Sequence, residues 1–345
     1  MDKIRCGVIG IGAMGKNHAL FIKESGIGDL VSLCDIDTNV LRRAAERFQV
    51  EKTYTDFHEM FKDPSLDMVS ICLPHYLHSP VSIEAMKAGK HVLTEKPIAI
   101  SLREAEKMIE TAKENNVKLG VAEEHRYAGQ IQMAKKWIRE GKIGRLYLCS
   151  CTERFGGWKP RPWGWRSKKE MIGGGSFIDQ GHHAVDLIRY LMGDPYECCA
   201  YMARPTEVLE GEEITLAVYK HAENAISQVH AGWAPGPTQF TMSIYGLKGT
   251  IMVENVRASG SALLFGPSKK NSEQREASTN QPIEKVEVVG KWKYTWKYVA
   301  IEKFLNAIVK DEPFEYSGEE GKKNLAAVLA AYESSKRGVS VKIRY

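Results

Sequence analysis

The 345-residue sequence has no apolar run close to the ~20 residues that a membrane-spanning helix needs. It also has no basic block of the kind that follows a phosphate backbone, because its 48 Lys and Arg are scattered among 43 Asp and Glu, with a net charge of +5. Residues 1–5 lead straight into a strand-like run, without the apolar stretch and cleavage site of a secretory signal. We therefore expect a cytoplasmic protein with no membrane and no nucleic acid as partner.

Cysteine is sparse, with seven residues at positions 6, 34, 72, 149, 151, 198 and 199. The number is odd, and the first three lie in or beside apolar strand-like runs, where reduced buried thiols are common, so we expect no disulfides. The candidate zinc-ligand pairs are Cys149 with Cys151, Cys198 with Cys199, and His182 with His183. None of them has the number and spacing of ligands that a zinc site needs. We predict no metal.

The length and the balance of 43% hydrophobic and 26% charged residues are typical of a globular protein with two domains. Up to residue 121, short β-branched runs alternate with helix-sized amphipathic segments, and the runs cover residues 4–9, 30–34, 68–73, 91–94 and 117–121. This alternation predicts an α/β Rossmann domain with a doubly wound parallel sheet, over residues 1–123.

The pattern changes after a helical segment at residues 130–140. Strand-like runs then follow one another at residues 146–152, 196–202, 214–219, 225–231, 240–245 and 250–253. Such a succession predicts an α+β domain with a large, mostly antiparallel open sheet, over residues 124–345. Two helices at residues 296–309 and 319–335 and a strand at 339–343 complete this domain.

A glycine turn follows the first strand. Gly10, Gly12 and Gly15 match G-x-G-x-x-G between a strand and a helix, the context in which backbone N–H groups bind a pyrophosphate at a helix N-terminus. Asp35 ends the second strand, where a carboxylate can accept hydrogen bonds from an adenosine ribose, and it favours NAD over NADP. Arg42 and Arg43 keep use of NADP open. Two alternatives are a glycine turn without ligand and an Asp35 that only caps the next helix.

Two further clusters carry groups suited to proton transfer. Lys96 follows a strand at the C-terminal edge of the parallel sheet, where these folds bind ligands, although Glu-Lys-Pro by itself is more often a solvated turn. A glycine triplet precedes a helical segment on which Asp179, His183 and Asp186 fall within roughly 60° at ~100° per residue. A His and an Asp one turn apart suit acid–base chemistry, with His182 as the competitor of His183. The alternative is a solvated polar face.

Four ordered motifs resemble the glucose-fructose oxidoreductase, inositol dehydrogenase and MocA-like (Gfo/Idh/MocA) family. They are Gly10–Gly15 with His18, the segment 74–78, the segment 89–97 ending in Glu-Lys-Pro, and Trp165-Arg166 before residues 173–186. The resemblance implies oxidation of a secondary alcohol of a sugar or inositol, and dimers or tetramers formed through the open sheet.

The resemblance also implies roles for individual residues. Lys96 and Asp179 match the catalytic lysine and aspartate, and His183 matches the histidine that removes the hydroxyl proton while hydride goes to nicotinamide C4. The expected cofactor contacts extend to Ala13, Met14, Pro74, His75, His78, Glu95 and Lys96. His75 stands where the family commonly has asparagine, so contacts near the nicotinamide differ.

The loop at residues 155–166 holds three of the seven tryptophans and two arginines. Aromatic rings stack on sugars and arginines donate to hydroxyls, so Trp163, Trp165 and Arg166 are candidate substrate contacts, as are Arg126 and Tyr127. Packing or a subunit contact would explain the same enrichment. Two rival functions remain open: a non-catalytic NAD-binding sensor, and a glycoside hydrolase that recycles NAD through transient sugar oxidation.

Overall fold

The computed structural model describes residues 3–156, 164–233, 236–256, 259–266, 282–288 and 295–345. These residues form two compact units. The first comprises Met1–Glu124, Gly164–Gly173 and Lys297–Leu325, and the second comprises His125–Trp163, Gly174–Trp296 and Ala326–Tyr345. Two short segments from the later part of the chain therefore pack with the N-terminal unit.

The first unit contains a six-stranded sheet in the order β3-β2-β1-β4-β5-β6, and every described pair in it is parallel. Its strands are β1 Ile4–Ile9, β2 Gly28–Cys34, β3 Lys52–Tyr54, β4 Met68–Ile71, β5 His91–Glu95 and β6 Leu119–Ala122. The intervening helices are α1 Ala13–Glu24, α2 Thr38–Phe48, α3 Phe57–Phe61, α4 His75–Lys87 and α5 Leu102–Glu114. The predicted parallel Rossmann sheet is confirmed. The apolar runs of the sequence did not predict β3, because its three residues lie at the sheet edge and are largely exposed.

The segment Lys297–Leu325 covers the β6 edge of this sheet. The backbone N–H of Val121 donates to the carbonyl of Tyr316 at 3.0 Å, and Gly120 forms a β-bridge with Ser317. A Cβ atom at Gly120 would lie 2.7 Å from the ring of Phe304, so glycine allows this buried ring to pack directly against β6.

The second unit contains a nine-stranded sheet in the order β14-β13-β12-β11-β7-β10-β9-β8-β15. The described strand pairs are antiparallel except β7 with β10, which confirms the predicted mostly antiparallel sheet. The strands are β7 Leu146–Arg154, β8 Glu197–Ala203, β9 Ile214–His221, β10 Ala225–Gly232, β11 Gln239–Gly246, β12 Gly249–Glu254, β13 Gly260–Phe265, β14 Glu284–Val288 and β15 Val341–Lys342. The remaining α-helices of the described residues are α6 Gly129–Arg139, α7 Lys169–Ile172, α8 His182–Met192, α9 Thr295–Val309 and α10 Gly318–Arg337.

Side chains alternate between the two faces of this second sheet. Along β9, Thr215, Ala217 and Tyr219 are buried, while Leu216 and Val218 are exposed. The same alternation runs along β7, β10, β11 and β12. One face therefore contributes to the core of this unit and the other presents its side chains outward. Among the described residues, none of the helices combines the length and apolar character needed to span a bilayer.

Candidate functional site

The three glycines of the first turn differ in what the protein itself requires of them. Gly10 has φ +84°, and a Cβ there would lie 2.6 Å from the carbonyl oxygen of Cys72. A Cβ at Gly15 would lie only 1.9 Å from the carbonyl oxygen of Gly10. At Gly12, by contrast, no atom of the described residues lies within 4 Å of the Cβ position. Internal packing thus explains the first and third glycines, whereas the second faces open space.

That open space lies at the N-terminus of α1. Gly12 is the N-cap of this 12-residue helix and has no side chain with which to cap it, and the first turn contains no acidic residue. The first N–H groups of a helix and its dipole favour an anion, and a residue without Cβ lets a bulky anion approach the backbone. These residues fit the pyrophosphate of a dinucleotide.

Asp35 follows β2 and is hydrogen-bonded to the glycine turn. One carboxylate oxygen accepts from the N–H of Ile11 at 2.6 Å, and the other accepts from the N–H of Asp37 at 2.9 Å. The alternative that Asp35 caps the next helix is wrong, because Asp37 is the N-cap of α2 and accepts from Asn39 and Val40. Asp35 is thus fixed beside the turn, where its position matches that expected of a ribose acceptor.

Ile36, which the sequence analysis did not identify, is 90% exposed directly after Asp35. The flat face of an adenine ring would cover this apolar side chain in a dinucleotide complex. The available signal was a β-branched residue between two aspartates at the carboxyl end of a strand.

The segment Glu95-Lys96-Pro97 ends β5, and the Lys96–Pro97 peptide bond is cis. Glu95 and Pro97 are buried and Lys96 is half-buried, so the alternative of a solvated turn is wrong. His78 lies against this turn: its two ring nitrogens are 2.7 Å from the carbonyl of Pro97 and 2.8 Å from that of Leu73. Burial lowers the pKa of His78 to about 4, so the neutral ring donates to one carbonyl at a time.

Glu95 is paired with His18 inside the first unit. The ring nitrogen Nε2 of His18 lies 3.0 Å from Oε1 of Glu95, and Nδ1 lies 2.6 Å from Oγ of Ser70. Burial alone would lower the His18 pKa, but the nearby Cys72 and the bond to Glu95 outweigh it and raise the pKa to about 10. The bond to the Glu95 carboxylate thus favours the imidazolium form of His18.

The segment Gly164–Gly173 brings two predicted substrate contacts to the first unit. The ring of Trp165 lies edge-on to His75 with centroids 4.8 Å apart, and the guanidinium of Arg166 lies 4.3 Å from the Trp165 ring centroid. His75 Nδ1 is 2.9 Å from the carbonyl oxygen of Ile172, which ties the same segment to α4. Trp165 thus contacts His75, a predicted cofactor contact, and Arg166 lies beside Trp165. Trp163 lies outside the described residues.

In the second unit, Asp179 lies on a π-helical turn, Phe177–Gly181, that leads directly into α8. The assumption of ~100° per residue through Asp179 and His183 is therefore wrong, because a π-helical turn contains about one residue more than an α-helical turn. Asp179, His182, His183 and Asp186 are all buried, so a merely solvated polar face is also wrong. π-Turns inside helices are frequent at functional sites.

A carboxylate and a phenol hold the start of this turn, and we call Glu212 and Tyr332 the turn anchor. Oε1 of Glu212 accepts from the N–H of Phe177 at 2.7 Å and from the Tyr332 hydroxyl at 2.8 Å. The same hydroxyl accepts from the N–H groups of Gly175 and Ile178, both at 3.1 Å. No local pattern indicates this anchor, since its two members are 120 residues apart in the chain.

His183 lies against a second imidazole that the sequence analysis did not identify. The rings of His125 and His183 are stacked, with centroids 4.0 Å apart and planes at 29°. Oε1 of Glu153 lies 3.4 Å from Nδ1 of His125 and accepts from the Gln180 amide at 2.7 Å. A buried carboxylate therefore lies beside His125, which in turn packs on His183.

Arg126 and Tyr127 are buried in the second unit. The Arg126 guanidinium donates to both carboxylate oxygens of Asp186 and lies 4.8 Å from the ring centroid of Tyr190. Asp186, which the sequence analysis grouped with Asp179 and His183, is thus engaged by Arg126. This ion pair fixes the start of the unit against α8, and substrate contact by Arg126 and Tyr127 stays a prediction.

Comparison with known sequence families agrees with the expected dinucleotide fold. A profile named GFO_IDH_MocA and described as an oxidoreductase family with an NAD-binding Rossmann fold matches residues 4–123, and the GFO/IDH/MocA C-terminal domain profile matches residues 131–252. The predictions of this family, of NAD as cofactor and of an oxidoreductase are confirmed.

Individual relatives are named for sugars and inositols. The chain is 29% identical over 350 residues to a myo-inositol 2-dehydrogenase of Thermotoga maritima, covering 99% of this chain and 98% of the relative. It is 31% identical over 204 residues to a levoglucosan dehydrogenase of Pseudarthrobacter phenanthrenivorans, covering 56% of this chain and 52% of the relative. A solved levoglucosan dehydrogenase complexed with NADH and levoglucosan superimposes with a TM-score of 0.88 at 23% identity over both whole chains, and it shows the same fold.

We expect Gly12→Ala to weaken NADH binding and Gly15→Ala to prevent stable folding. Gly12→Ala places a methyl group in open space, so the melting temperature stays close to wild type while NADH binding weakens by about tenfold or more. Gly15→Ala drives a methyl group into the Gly10 carbonyl and prevents stable folding. Circular dichroism and NADH fluorescence titration measure both effects. Wild-type NADH affinity in Gly12→Ala would contradict this assignment of the turn.

The pKa of His18 predicts how stability depends on pH. Its folded pKa of about 10 lies above its ordinary value of 6.5, so its stabilisation is complete below about pH 6.5 and is lost as pH rises to about 10. The advantage of wild type over His18→Asn should shrink over this range, by up to about 1.4 kcal/mol per pH unit.

Thermal unfolding between pH 6.5 and 10.5 tests this expectation. The control is His221→Asn, since burial lowers the pKa of His221 and its contribution stays constant above pH 7. A difference between wild type and His18→Asn that does not change with pH would show that the His18 pKa is not raised.

Proposed function

Because the chain belongs to the Gfo/Idh/MocA family of oxidoreductases, we propose that it oxidises a secondary hydroxyl of a sugar, a sugar derivative or an inositol to a ketone, or catalyses the reverse. Bound NAD supplies the hydride acceptor, nicotinamide C4. The observation that supports the proposal best is the placement of buried Asp179 on a π-turn and of buried His183 on the helix that follows it, in a chain that also has the open glycine turn. An NAD-binding sensor would need no such buried acid–base pair.

In this proposal His183 removes the proton of the substrate hydroxyl. Its imidazole is stacked on His125, and Glu153 beside His125 supplies negative charge that stabilises the cationic form which proton uptake creates. Asp179, four residues before His183, orients the reacting hydroxyl and the imidazole. The turn anchor Glu212 and Tyr332 fixes the backbone from which Asp179 projects.

Lys96 donates to the substrate oxygen in the same proposal. The end of β5 is the usual position for a ligand-binding residue in a parallel sheet. Half-burial keeps the ammonium accessible, and the buried neighbours Glu95 and Pro97 limit the motion of its backbone. The Lys96 charge favours the alkoxide that develops as the hydroxyl proton leaves.

We propose a ring-shaped polyol as the substrate class. Trp165 offers an indole face for the C–H groups of a sugar ring, and Arg166 beside it donates to hydroxyls. Relatives named for myo-inositol, for levoglucosan and for a D-glucoside agree with this class. We place the reaction in the cytoplasm, where NAD is available and the seven free thiols stay reduced.

We further propose that two copies associate through the outward face of the nine-stranded sheet. Tyr201 and Leu216 are directly paired across β8 and β9 and are 73% and 54% exposed. Val218 and Ile226, each 44% exposed, extend this apolar patch onto β10. Contiguous exposed apolar side chains of this size on a flat sheet are typical of a subunit interface.

Lys96→Gln and His183→Asn should each lower kcat by about 10²- to 10⁴-fold while NADH binding persists. Matched controls are Lys87→Gln, on the exposed end of α4, and His182→Asn, at the adjacent position of α8. NADH formation is measured with myo-inositol, levoglucosan, D-glucosides and free sugars, and the melting temperature of each variant is recorded.

Four results would contradict the proposed reaction or the roles assigned in it. Wild-type rates in Lys96→Gln and His183→Asn would remove their catalytic roles, and a loss confined to His182→Asn would transfer the role to His182. Cleavage of a coloured aryl glycoside without net NADH formation would favour the NAD-recycling hydrolase. NADH binding without turnover of any compound would favour the sensor.

The sheet interface predicts a change of mass. Wild type should be a dimer or a tetramer by light scattering, and Tyr201→Arg with Leu216→Arg should shift it to monomer because four charges would be buried for each pair of copies. Leu247→Arg, at an equally exposed apolar residue in the β11–β12 turn, should leave the mass unchanged. A wild-type monomer would contradict the interface.

A further inference from the structure

The buried cluster of His18, Ser70 and Glu95, here called the His18 cluster, has no part in the reaction proposed above. His18 is on α1, Ser70 is on β4 and Glu95 ends β5. Ser70 pairs with Leu93 across β4 and β5, and Glu95 lies two residues after Leu93 on the same face of the sheet. The cluster thus lies between α1 and the sheet, in the middle strands.

Both ring nitrogens of His18 have a hydrogen-bond partner in this cluster. A carboxylate accepts only, so Nε2–H donates to Glu95, and Nδ1 lies 2.6 Å from the Ser70 hydroxyl oxygen, which is 4.0 Å from Sγ of Cys72. Glu95 is 6% exposed and His18 is 2% exposed. A buried carboxylate is costly without a counter-charge, and removing one partner leaves the other unpaired. The His18–Glu95 bond is therefore a strong, specific link between α1 and β5.

The two ends of this link adjoin functionally different groups. On one side, His18 is five residues after Ala13, about 8 Å along the helix from the turn that fits a pyrophosphate. On the other side, Glu95 immediately precedes Lys96. The His18–Glu95 bond therefore joins the helix that follows the glycine turn to the residue next to Lys96.

We propose that His18 is a positioning residue, which couples the seating of the dinucleotide on α1 to the position of Lys96 through Glu95. The inference rests on the role proposed for Lys96. A purely structural ion pair would stabilise the fold equally well. Its loss, however, would not abolish the effect of nucleotide binding on the end of β5.

Hydrogen–deuterium exchange with NADH tests this coupling without a substrate. In wild type, NADH should slow exchange in peptides from residues 10–17 and from residues 93–101. In His18→Gln, which retains a donor but not the charge, NADH should slow exchange only in residues 10–17. Glu95→Gln removes the charge from the other side and should give the same result, so the test does not depend on one variant folding.

Kinetics supply the second measurement. With any substrate that wild type oxidises, His18→Gln should lower kcat by about 10²-fold, while KM and the NADH Kd stay within about threefold. The matched control is His221→Gln, a buried histidine whose two ring nitrogens are also engaged, by the Gly193 carbonyl and the Ser227 hydroxyl in the second unit. This control should retain kcat and the coupled protection.

Three outcomes would overturn the proposal: NADH protection of residues 93–101 in His18→Gln as in wild type, absence of that protection in wild type, or a kcat loss in His221→Gln equal to that in His18→Gln. If wild type turned over no compound, the proposed function would fail, and the exchange experiment would still decide whether His18 couples α1 to β5.

Discussion

The close approach of α1 to β1 is the constraint on which the first unit depends. A Cβ at Gly15 would lie 1.9 Å from the carbonyl oxygen of Gly10, so the helix packs at a distance that only glycine permits. This distance sets where the N-terminus of α1 meets the sheet edge, and it also places His18 within hydrogen-bond range of Glu95. The geometry of the glycine turn and the His18–Glu95 pair thus both depend on one backbone contact, because a helix displaced by a methyl group would alter both.

The features that the sequence could predict are local in the chain. Alternating strands and helices, the glycine turn and the position of Asp35 all depend on residues within a few turns of one another, and burial on both faces makes parallel strands such as β4 continuously apolar. Contacts between distant segments have no local pattern. The packing of Gly164–Gly173 and Lys297–Leu325 with the first unit, and the turn anchor of Glu212 with Tyr332, therefore had no signal in the sequence.

The predicted arrangement of Asp179 and His183 was wrong for a different reason. A helical wheel assumes a constant angle per residue, and the π-turn at Phe177–Gly181 breaks that assumption between the two residues. Glycines at 173–175 signalled irregular backbone, but the kind of irregularity is fixed by the N–H groups that Glu212 and Tyr332 accept. Likewise, the capping role fell to Asp37 instead of Asp35 because the N–H of Ile11 in the glycine turn competes for the Asp35 carboxylate.

Two glycine-rich segments precede helical turns in this chain, and they differ in the acceptors that are available to their backbone N–H groups. At residues 174–178 the donors of Gly175, Phe177 and Ile178 are accepted by a buried carboxylate and a phenol, so this helix start binds part of its own protein and becomes rigid. At residues 10–15 the cap is a glycine that faces open space, and the positive end of the α1 dipole is directed there. Where an internal carboxylate accepts from the N–H groups, the first turn of the helix is held in place and can support side chains. Where no side chain caps the helix, the favourable interaction of its positive end with an anion remains available to a ligand. The same sequence signature thus has its N–H groups accepted by side chains in one unit and a glycine cap facing open space in the other, and what distinguishes them is the acceptor that long-range folding brings to the helix start.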